Sequence, residues 1–425
     1  MPDRRREGLG RSPSTTLRTG PLPNNQNGLK VTGVWQMKIV MDFRKFDGVV
    51  GGVERGVIEI TKYVATQGHH VMMLCKQNRL SEVRKIFENT SNMTFIPLPV
   101  RTHAMSLRNA WIDSKAIQDM AEKEGADIIH FPYNWSFPFG KKVPSILTVH
   151  DVIPFTFREA MGFFRNHFLY KPGIRQACRL NDVIATVSEF SKQDIVEKVG
   201  VPADKIRGIP NGLREPSKPD ERIDAALDDR FDLKNGFILN VGGIHERKNV
   251  IRLVHAFSRL VNQRGYPGKL MITGSVSGAP YQIKMKKLCD AAVKEVGMEK
   301  RIVFTGFIPD EELDSLLRRA DFLIYPSLYE GFGIPILEAM QVGIPVITSD
   351  LAAMPEVAGG AAILVDPYNI EEMASEMANL LQDNKLREEL SQKGVERASL
   401  YSWQRTAEQY LELFRETIGS HSARS

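Results

Sequence analysis

The sequence has few cysteines and no long apolar run. Its 425 residues include only three cysteines, Cys75, Cys178 and Cys289, which lie far apart. Such a set indicates neither a disulfide framework nor a CxxC metal site, and it is typical of a reducing cytoplasm. No run approaches the roughly 18 uncharged apolar residues of a spanning helix. These absences argue against a disulfide-stabilised secreted domain and against an integral membrane protein.

The charge of the chain is spread unevenly. The formal net charge is +5, and residues 1–36 contain six basic and two acidic side chains, so most of the excess lies there. This segment is rich in small and polar residues and lacks the apolar stretch of a secretory signal. We expect residues 1–36 to be a disordered or artefactual extension, with a basic binding arm as the alternative. A nucleic-acid partner is not expected, because the remaining residues are nearly neutral.

Short apolar runs alternate with helical segments from residue 37 onward. With 42% hydrophobic residues, the chain is long enough for two domains with buried cores. The first strand-like runs are KIVMDF, HHVMMLC, MTFIPLP, ADIIHFP, VPSILTVHD and DVIATVS. Amphipathic segments such as VERGVIEITKYVATQG separate them, which predicts a parallel sheet with helices on both faces.

A second series of the same kind follows a polar, proline-containing stretch. Its strand-like runs are GFILNVGG, KLMITGS, RIVFTGF, DFLIYPS, IPVITSD and AAILVD. We predict a first domain at 37–213, a linker at 214–235, a second domain at 236–398 and a final helix at 399–425 that packs back toward the first domain. Doubly wound sheets bind ligands beyond the carboxyl ends of their strands, so the cleft between the domains is the predicted site.

Two turns of the first domain present residues to this cleft. Gly51 and Gly52 precede a helix, where backbone amides can approach an anion or a sugar, and a simple tight turn is the alternative. The dinucleotide fingerprint GxGxxG does not fit, which argues against a nicotinamide dehydrogenase. His150 and Asp151 follow an apolar strand and predict polar groups at the cleft, with a purely structural pair as the alternative. No other His or Cys lies at ligand spacing, so no metal site is predicted.

A turn of the second domain, VGGIHERKNV, ends a strand in two glycines. Arg247 and Lys248 then stand where the next helix is predicted to begin. Free amides, a helix dipole and two cations together are typical of a phosphate cradle. The alternative is a solvated charge cluster.

A second turn of that domain, EGFGIPILEAM, contains two glutamates. Glu330 opens a glycine-rich loop, and Glu338 lies in the predicted helix that follows. Gly331 and Gly333 allow backbone amides to approach a ligand, and the two carboxylates suit the vicinal hydroxyls of a ribose and a hexose. An ordinary turn with two solvated glutamates is the alternative.

These segments resemble the retaining glycosyltransferases of family 4, in particular mannosyltransferase-like group 1 enzymes with the GT-B fold. The closest likeness lies in EGFGIPILEAM and the following GIPVITSDLAAMPEVAGGAAILVDP. TVHDVIPF, ATVSEFSKQDI, IPNGL, FILNVGGIHERKNVIRLVHAF and RIVFTGFIPDEELDSLLRRADFLIYPS resemble the family's other blocks, in order, from about Met37 to Asp383. The resemblance implies an α/β protein of two Rossmann-like, doubly wound parallel-sheet domains that face a central cleft.

The resemblance also implies roles for particular residues. Glu330 is expected at the hydroxyls of the donor sugar, Glu338 at the ribose, Lys248 at the diphosphate and His150 in the sugar pocket. The catalytic set is thus expected to be Glu330, His150 and Lys248. Donor-binding residues are expected to be Gly52, Gly243, Arg247, Lys248, Glu330, Gly331, Phe332, Gly333, Ile334 and Glu338, and acceptor-binding residues Gly51 and Asp151.

One position departs from the family pattern. Many members have an arginine five positions before the lysine, where this chain has Gly243, and Arg247 is expected to supply that charge. The resemblance implies transfer with retention of configuration and without a metal, in which the departing phosphate accepts the acceptor's proton. No cofactor is expected, because the nucleotide-diphosphate sugar is the donor substrate.

Donor, acceptor and location rest on weaker signals. The VHDVIPF and HERKN blocks are most similar to the mannosyltransferase branch, which favours GDP-mannose. FTFREAMGFFRNHFLYKPGIRQACR interleaves aromatic and basic residues, which suits a membrane surface or a polyprenyl-linked acceptor, while inward-packed aromatics are the alternative. We expect a cytoplasmic enzyme, peripheral at the inner membrane face, that extends a glycan in cell-surface polysaccharide biosynthesis. A non-catalytic sugar-nucleotide-binding protein and a sugar-nucleotide epimerase remain alternatives.

Overall fold

The computed structural model describes residues 35–99, 107–157, 162 and 164–423. The predicted N-terminal extension lies outside the described residues except for its last two positions, and so do 158–161 and 163 of the aromatic and basic segment. Within the described part, every helix is too short or too polar to cross a membrane.

The first sheet is parallel and corresponds to the first series of apolar runs. Among the described residues it contains β1 (Lys38–Asp42), β2 (His70–Lys76), β3 (Met93–Leu98), β4 (Ile128–Phe131), β5 (Ser145–Thr148), β6 (Val183–Thr186) and β7 (Ile206–Gly208). The strand order is β3-β2-β1-β4-β5-β6-β7. The pattern did not predict β7, because three residues are too few for a periodic signal. We call this sheet and the helices on it the N-lobe.

The second sheet is also parallel and is built from the second series. Its described strands are β8 (Phe237–Val241), β9 (Lys269–Thr273), β10 (Ile302–Gly306), β11 (Leu323–Tyr325), β12 (Val346–Ser349) and β13 (Ile363–Val365). They lie in the order β10-β9-β8-β11-β12-β13. We call this sheet and its helices the C-lobe. The predicted fold class, two doubly wound parallel sheets, is confirmed.

Helices cover both faces of each sheet and bury their apolar sides against it. They are α1 (Gly52–Thr66), α2 (Leu80–Ile86), α3 (Leu107–Lys123), α4 (Lys171–Leu180), α5 (Glu189–Val199), α6 (Glu221–Phe231), α7 (Val250–Arg264), α8 (Pro280–Glu295), α9 (Asp310–Arg319), α10 (Ile334–Gln341), α11 (Met354–Ala358), α12 (Ile370–Gln382), α13 (Asn384–Ala398) and α14 (Trp403–Ser422). A π-helical segment, Arg165–Tyr170, leads into α4. Helix α6 lies inside the stretch interpreted as a linker, and Leu227 is its buried residue.

Helix α14 packs on the N-lobe although it follows the C-lobe in sequence. Tyr410 and Phe414 belong to the same apolar cluster as residues of β1 and β2. A β-carbon on Gly56 of α1 would lie 3.3 Å from the ring of Trp403, so the two helices approach closely at this glycine. The last helix therefore fills one side of the N-lobe core.

The strand order reverses at one place in each sheet, between β1 and β4 in the N-lobe and between β8 and β11 in the C-lobe. The loops that leave such neighbouring strands diverge to opposite faces and open a crevice at the carboxyl edge. In this chain, the turns after β1, β8 and β11 are those that carry Gly51, Lys248 and Glu330. The topology thus brings together segments that are distant in sequence.

Candidate active site

Lys248 is buried in the turn that follows β8. It lies in a short 3-10 turn, Glu246–Lys248, just before α7, rather than in the helix itself. Its Nζ donates to the Tyr325 hydroxyl at 2.5 Å and lies 2.7 Å from Glu330 Oε1. Gly242 makes room for it: φ is +121°, and a β-carbon there would lie 2.7 Å from Lys248 Nζ. The absence of a side chain at Gly242 therefore leaves space for the buried ammonium group of Lys248.

Glu330 joins the two cations of this turn. Arg247 donates from Nη1 to Glu330 Oε1 at 2.5 Å, and Lys248 contacts the same oxygen. Burial alone would raise the pKa of Glu330, but Lys248 and then Arg247 outweigh burial and lower that pKa below its usual value. Glu330 is accordingly an ionised carboxylate between two cations. The pairing requires the turns after β8 and β11 to lie side by side, as the strand order dictates.

The glycine-rich loop after Glu330 contacts the N-lobe. A β-carbon on Gly331 would lie 2.5 Å from the carbonyl oxygen of His150. Phe332 is buried and packs against Tyr401, with ring centroids 5.8 Å apart. Gly333 precedes the first residue of α10, Ile334. The missing side chain at Gly331 thus permits contact between the lobes, a role that the sequence analysis did not assign to it.

Glu338 occupies a different charged cluster. Its Oε1 lies 3.5 Å from Nε of Arg214, whose guanidinium also binds both carboxylate oxygens of Asp314. Burial raises the pKa of Glu338, Arg214 lowers it in part, and Asp314 and Asp310 raise it again. The two glutamates therefore do not share partners.

His150 faces the cleft from the carboxyl end of β5. Its Nε2 lies 3.0 Å from the carbonyl oxygen of Pro132, which can only accept, so Nε2 carries the proton of the neutral ring. Burial lowers the pKa of His150 and favours this neutral form, although the hydrogen bond to Pro132 opposes it. Nδ1 is then the acceptor atom of the ring. Asp151 Oδ1 accepts from the backbone N–H of Ile153 at 3.1 Å and holds the next turn.

The glycine turn after β1 lies opposite α10. Gly51 is the N-cap of α1, and a β-carbon on Gly52 would lie 4.0 Å from Cδ1 of Ile334. The first turn of α1 also carries Glu54, whose carboxylate accepts from the Tyr133 hydroxyl at 3.3 Å. Glu54 and Tyr133 therefore add polar groups to the N-lobe side of the cleft, beyond those that the glycine turn and the His150–Asp151 pair predicted.

The structure groups some predicted residues and separates others. Arg247, Lys248 and Glu330 are in direct contact, and His150 adjoins the next residue of the same loop. Glu338 is held apart in the Arg214 cluster. Gly243 binds the backbone carbonyl of Thr273 through its N–H at 2.8 Å and takes no part in either ion pair.

Several residues of the site were not found from the sequence. Arg214 directly follows the IPNGL block. Its charge next to this motif is the one local feature that could have indicated it. Tyr325, the partner of Lys248, resembles any buried strand residue, so no local pattern singles it out. Within the described part of the chain, no group of three or more His, Cys, Asp or Glu side chains converges as metal ligands do.

Two family models match the chain, one on each lobe. "Glycosyltransferase Family 4" matches residues 50–214, and "Glycosyl transferases group 1" matches residues 227–397. The two matches contain the N-lobe turns and the C-lobe turns described above.

Curated relatives from Escherichia coli are mannosyltransferases. The O-antigen chain mannosyltransferase B is 28% identical over 70% of this chain and 77% of its own length. The serotype-specific mannosyltransferase WbdA is 28% identical over 65% of this chain, but this chain spans only about a third of its length, 34%.

Solved structures share the fold. Anabaena Alr3699/HepE, crystallised with UDP and glucose, aligns with a TM-score of 0.70 and 18% identity, over 90% of this chain and 100% of that one. At this identity, the likeness supports the two-lobed GT-B architecture alone.

Proposed function

Because the chain belongs to the group 1 glycosyltransferases of family 4, we propose that it transfers a hexose, with retention of configuration, from a nucleotide-diphosphate sugar to a hydroxyl group. The observation that carries this proposal is the contact of Arg247 and Lys248 with Glu330 at the carboxyl edge of the C-lobe sheet. The loop that holds Glu330 also contacts His150 of the N-lobe, so both lobes contribute to one site.

The two cations suit the leaving group of such a reaction. As the bond between the sugar and the diphosphate breaks, negative charge builds up on the phosphate oxygens. Lys248 and Arg247 are held by Tyr325 and Glu330, so their positions are set before a substrate binds. Preorganised donors of this kind are usually the largest contribution to catalysis. They also supply the positive charge that a divalent ion would bring, and we propose a metal-independent reaction with no cofactor.

Retention follows if attack and departure use the same face of the sugar. The acceptor oxygen bonds to the anomeric carbon while the bond from that carbon to the phosphate oxygen breaks, and the acceptor's proton passes to that phosphate oxygen. Glu330 is engaged by two cations, so we assign it to the sugar hydroxyls and not to a covalent intermediate. His150 can accept a hydrogen bond from a sugar hydroxyl through Nδ1.

Glu338 is the proposed ribose contact. Its carboxylate lies at the carboxyl edge of the same sheet, where Arg214 orients it at 3.5 Å. A carboxylate accepts hydrogen bonds from two vicinal hydroxyls, which suits a ribose. The donor thus extends from Glu338 past the two cations to Glu330 and His150.

We propose mannose from GDP-mannose as the transferred group, because the two E. coli relatives are named as mannosyltransferases. One of them is named for an O-antigen chain, which supports a growing cell-surface glycan as the acceptor here. The N-lobe turns with Gly51 and Asp151 are the proposed acceptor side of the cleft.

An exposed aromatic patch supports contact with a membrane. Phe164 is 72% exposed, Phe168 54% and Leu169 57%, on the π-helical segment before α4. Arg165 and Arg175 are exposed nearby in sequence. Apolar side chains beside cations suit an anionic bilayer that carries a polyprenyl-linked acceptor. Phe168→Ser should weaken binding to anionic liposomes at low salt, whereas Tyr368→Ser, equally exposed at 54% on the C-lobe, should not.

Product analysis tests the proposed reaction. With GDP-mannose, an acceptor glycan and a chelator, we expect GDP release and an α-mannosyl product, identified by the NMR coupling of its anomeric carbon. A β-linked product would contradict retention, and loss of activity in chelator would contradict metal independence. A changed free sugar nucleotide would indicate an epimerase, and binding without turnover a non-catalytic protein.

A further inference from the structure

Tyr329 of the C-lobe is inserted into a socket of the N-lobe. It is only 4% exposed, and its hydroxyl donates to Asp194 on α5. The ring lies edge-on against Phe190 and Phe157, at centroid distances of 5.5 and 6.2 Å. Lys198 completes the socket, with its Nζ 5.0 Å from the centre of the Tyr329 ring and 2.7 Å from Asp194 Oδ1. The tyrosine is thus bound by shape, charge and a hydrogen bond.

A second contact from the same helix lies two residues further along the loop. The carbonyl oxygen of Gly331 accepts from the hydroxyl of Ser188 at 2.6 Å and from that of Ser191 at 2.9 Å. Ser188 is also the N-cap of α5 and accepts from the backbone N–H of Ser191. Its side chain therefore caps the N-terminus of α5 and also binds the C-lobe loop.

The start of α5 receives a third contact from the C-lobe. Glu356 of α11 accepts from the backbone N–H groups of Glu189 and Phe190, each at 2.9 Å. These N–H groups have no partner within their own helix, so a carboxylate from the other lobe satisfies them. The first turn of α5 is consequently bound on two sides by the C-lobe.

Glu330 lies between the two contacts of its loop. One residue before it, Tyr329 is held by Asp194, and one residue after it, the Gly331 carbonyl is held by two serines. Consecutive α-carbons are about 3.8 Å apart, so anchors on both sides leave the intervening backbone little freedom. The Glu330 side chain is held by Arg247 and Lys248 of the C-lobe. The position of the Glu330 carboxylate thus depends on both lobes.

We propose that α5 is a positioning element for the candidate site. Asp194, through Tyr329, and Ser188 with Ser191, through Gly331, fix the backbone of Glu330, and Glu356 holds α5 in register. Glu330 is aligned for the donor sugar only while the lobes are in contact. This proposal rests on the proposed function, since it gives Glu330 its role there, and it adds residues that do not touch the sugar.

The decisive variant is Tyr329→Phe, which keeps the ring and removes the hydrogen bond to Asp194. We expect kcat to fall by about tenfold to a hundredfold, with little change in the donor KM, because misplacement of a reacting group mainly lowers turnover. Tyr266→Phe is a matched control: the Tyr266 hydroxyl donates to Asp321 at 2.6 Å inside the C-lobe. This control should lose stability and keep kcat. Asp194→Asn, which retains an acceptor, should keep more activity than Asp194→Ala.

Hydrogen exchange separates this proposal from the proposed function. Tyr329→Phe should speed exchange in residues 188–195 and 326–333, and Tyr266→Phe should not. Equal kcat for Tyr329→Phe and wild type, or unchanged exchange in both segments, would overturn the positioning role. A wild-type protein that transfers no sugar from any donor would overturn the proposed function, while the exchange experiment would still decide whether α5 holds the loop.

Discussion

Glu330 is buried and Glu338 is mostly buried, but the pKa values of the two carboxyl groups are shifted in opposite directions. Two cations within 2.7 Å lower the pKa of Glu330, although burial opposes this. Burial raises the pKa of Glu338, and the attraction of Arg214, which also binds Asp314, does not offset it. Glu330 thus stays ionised at low pH, and Glu338 gains a proton sooner than an ordinary glutamate.

The Glu338 carboxyl should make nucleotide binding sensitive to acid. As pH falls, it protonates at a pH above the ordinary glutamate value of 4.5, and the neutral acid loses acceptor capacity toward the ribose. We expect the Kd for the nucleoside diphosphate to rise from that pH downward. Calorimetry should find weak binding that lacks this acid dependence in Glu338→Gln, and the wild-type profile in Glu371→Gln, whose exposed partner is Arg259. The same acid dependence in Glu338→Gln would contradict this assignment.

Gly242 should be necessary for the position of the Lys248 ammonium group beside Tyr325 and Glu330. Gly242→Ala places a β-carbon 2.7 Å from Nζ of Lys248, so the cation must move away from Tyr325 and Glu330. Gly265→Ala is the matched control, since its φ of +67° carries backbone strain while nothing lies within 4 Å of the new β-carbon. We expect both variants to lose about 1 to 3 kcal/mol of stability, and only Gly242→Ala to lose turnover, by about tenfold or more. Equal turnover in the two variants would contradict the requirement for a glycine at position 242.

Local sequence motifs predicted some of the individual residues of the site. Arg247 with Lys248, and Glu330 with its glycines, each occupy one turn, so a local pattern was sufficient to mark them. Arg214 and Tyr325 matter through contacts with residues about 80 to 120 positions away in the chain, and such contacts exist only in the folded lobe. Whether these residues act on a sugar nucleotide stays a prediction.

Helix α14 is joined to the N-lobe sheet by a buried polar chain. The Tyr410 hydroxyl lies 2.9 Å from Thr148 Oγ1, which in turn lies 2.8 Å from His130 Nε2. Burial and then the nearby His150 lower the pKa of His130 to about 3, although the Asp42 charge opposes them. His130 is therefore neutral in the folded protein.

This histidine should contribute to acid unfolding. Its folded pKa lies below its unfolded value of 6.5, so its contribution is fully present above pH 6.5 and is lost as pH falls toward 3, when the unfolded chain takes up a proton. Urea unfolding at pH 7.5 and 4.5 should give a stability difference that is smaller by about 2 kcal/mol in His130→Gln than in wild type. An identical difference in both proteins would contradict a neutral His130.

The elements themselves were largely predictable. Strands such as β1 and β8 are buried on both faces, so they read as continuous apolar runs. Helix α6 was missed because acidic and basic residues outnumber its apolar ones, and only Leu227 is buried against its neighbours. Short or polar elements take their structure from packing, which a local pattern does not record.

The whole molecule depends on contact between its lobes. Gly331 meets the His150 carbonyl, and Arg55 of α1 pairs with Asp310 of α9 at 2.7 Å. The exposed ion pair contributes little, whereas the glycine contact leaves no space for a side chain. At Gly331 the loop therefore fits closely against the N-lobe backbone, in addition to the hydrogen bonds that Gly331 and Tyr329 make with α5.

Gly331→Ala should hold the lobes apart. Its β-carbon would lie 2.5 Å from the backbone oxygen of His150, which cannot yield as a flexible side chain would. With a saturating donor, small-angle scattering should give a larger radius of gyration than wild type, and kcat/KM should fall about a hundredfold. Gly278→Ala, with nothing within 4 Å of its β-carbon, should match wild type in both measurements. A compact and active Gly331→Ala would show that this contact is not required.

The most direct test of the donor site is a thermal-shift and nucleotide-release screen. Wild type and Glu338→Ala are compared with GDP-mannose, UDP-glucose, UDP-N-acetylglucosamine and NADH. We expect stabilisation and nucleoside diphosphate release with GDP-mannose, both lost in Glu338→Ala, and no response to NADH. Stabilisation by no sugar nucleotide, or equal stabilisation of the variant, would contradict the assignment of this cleft as the donor site.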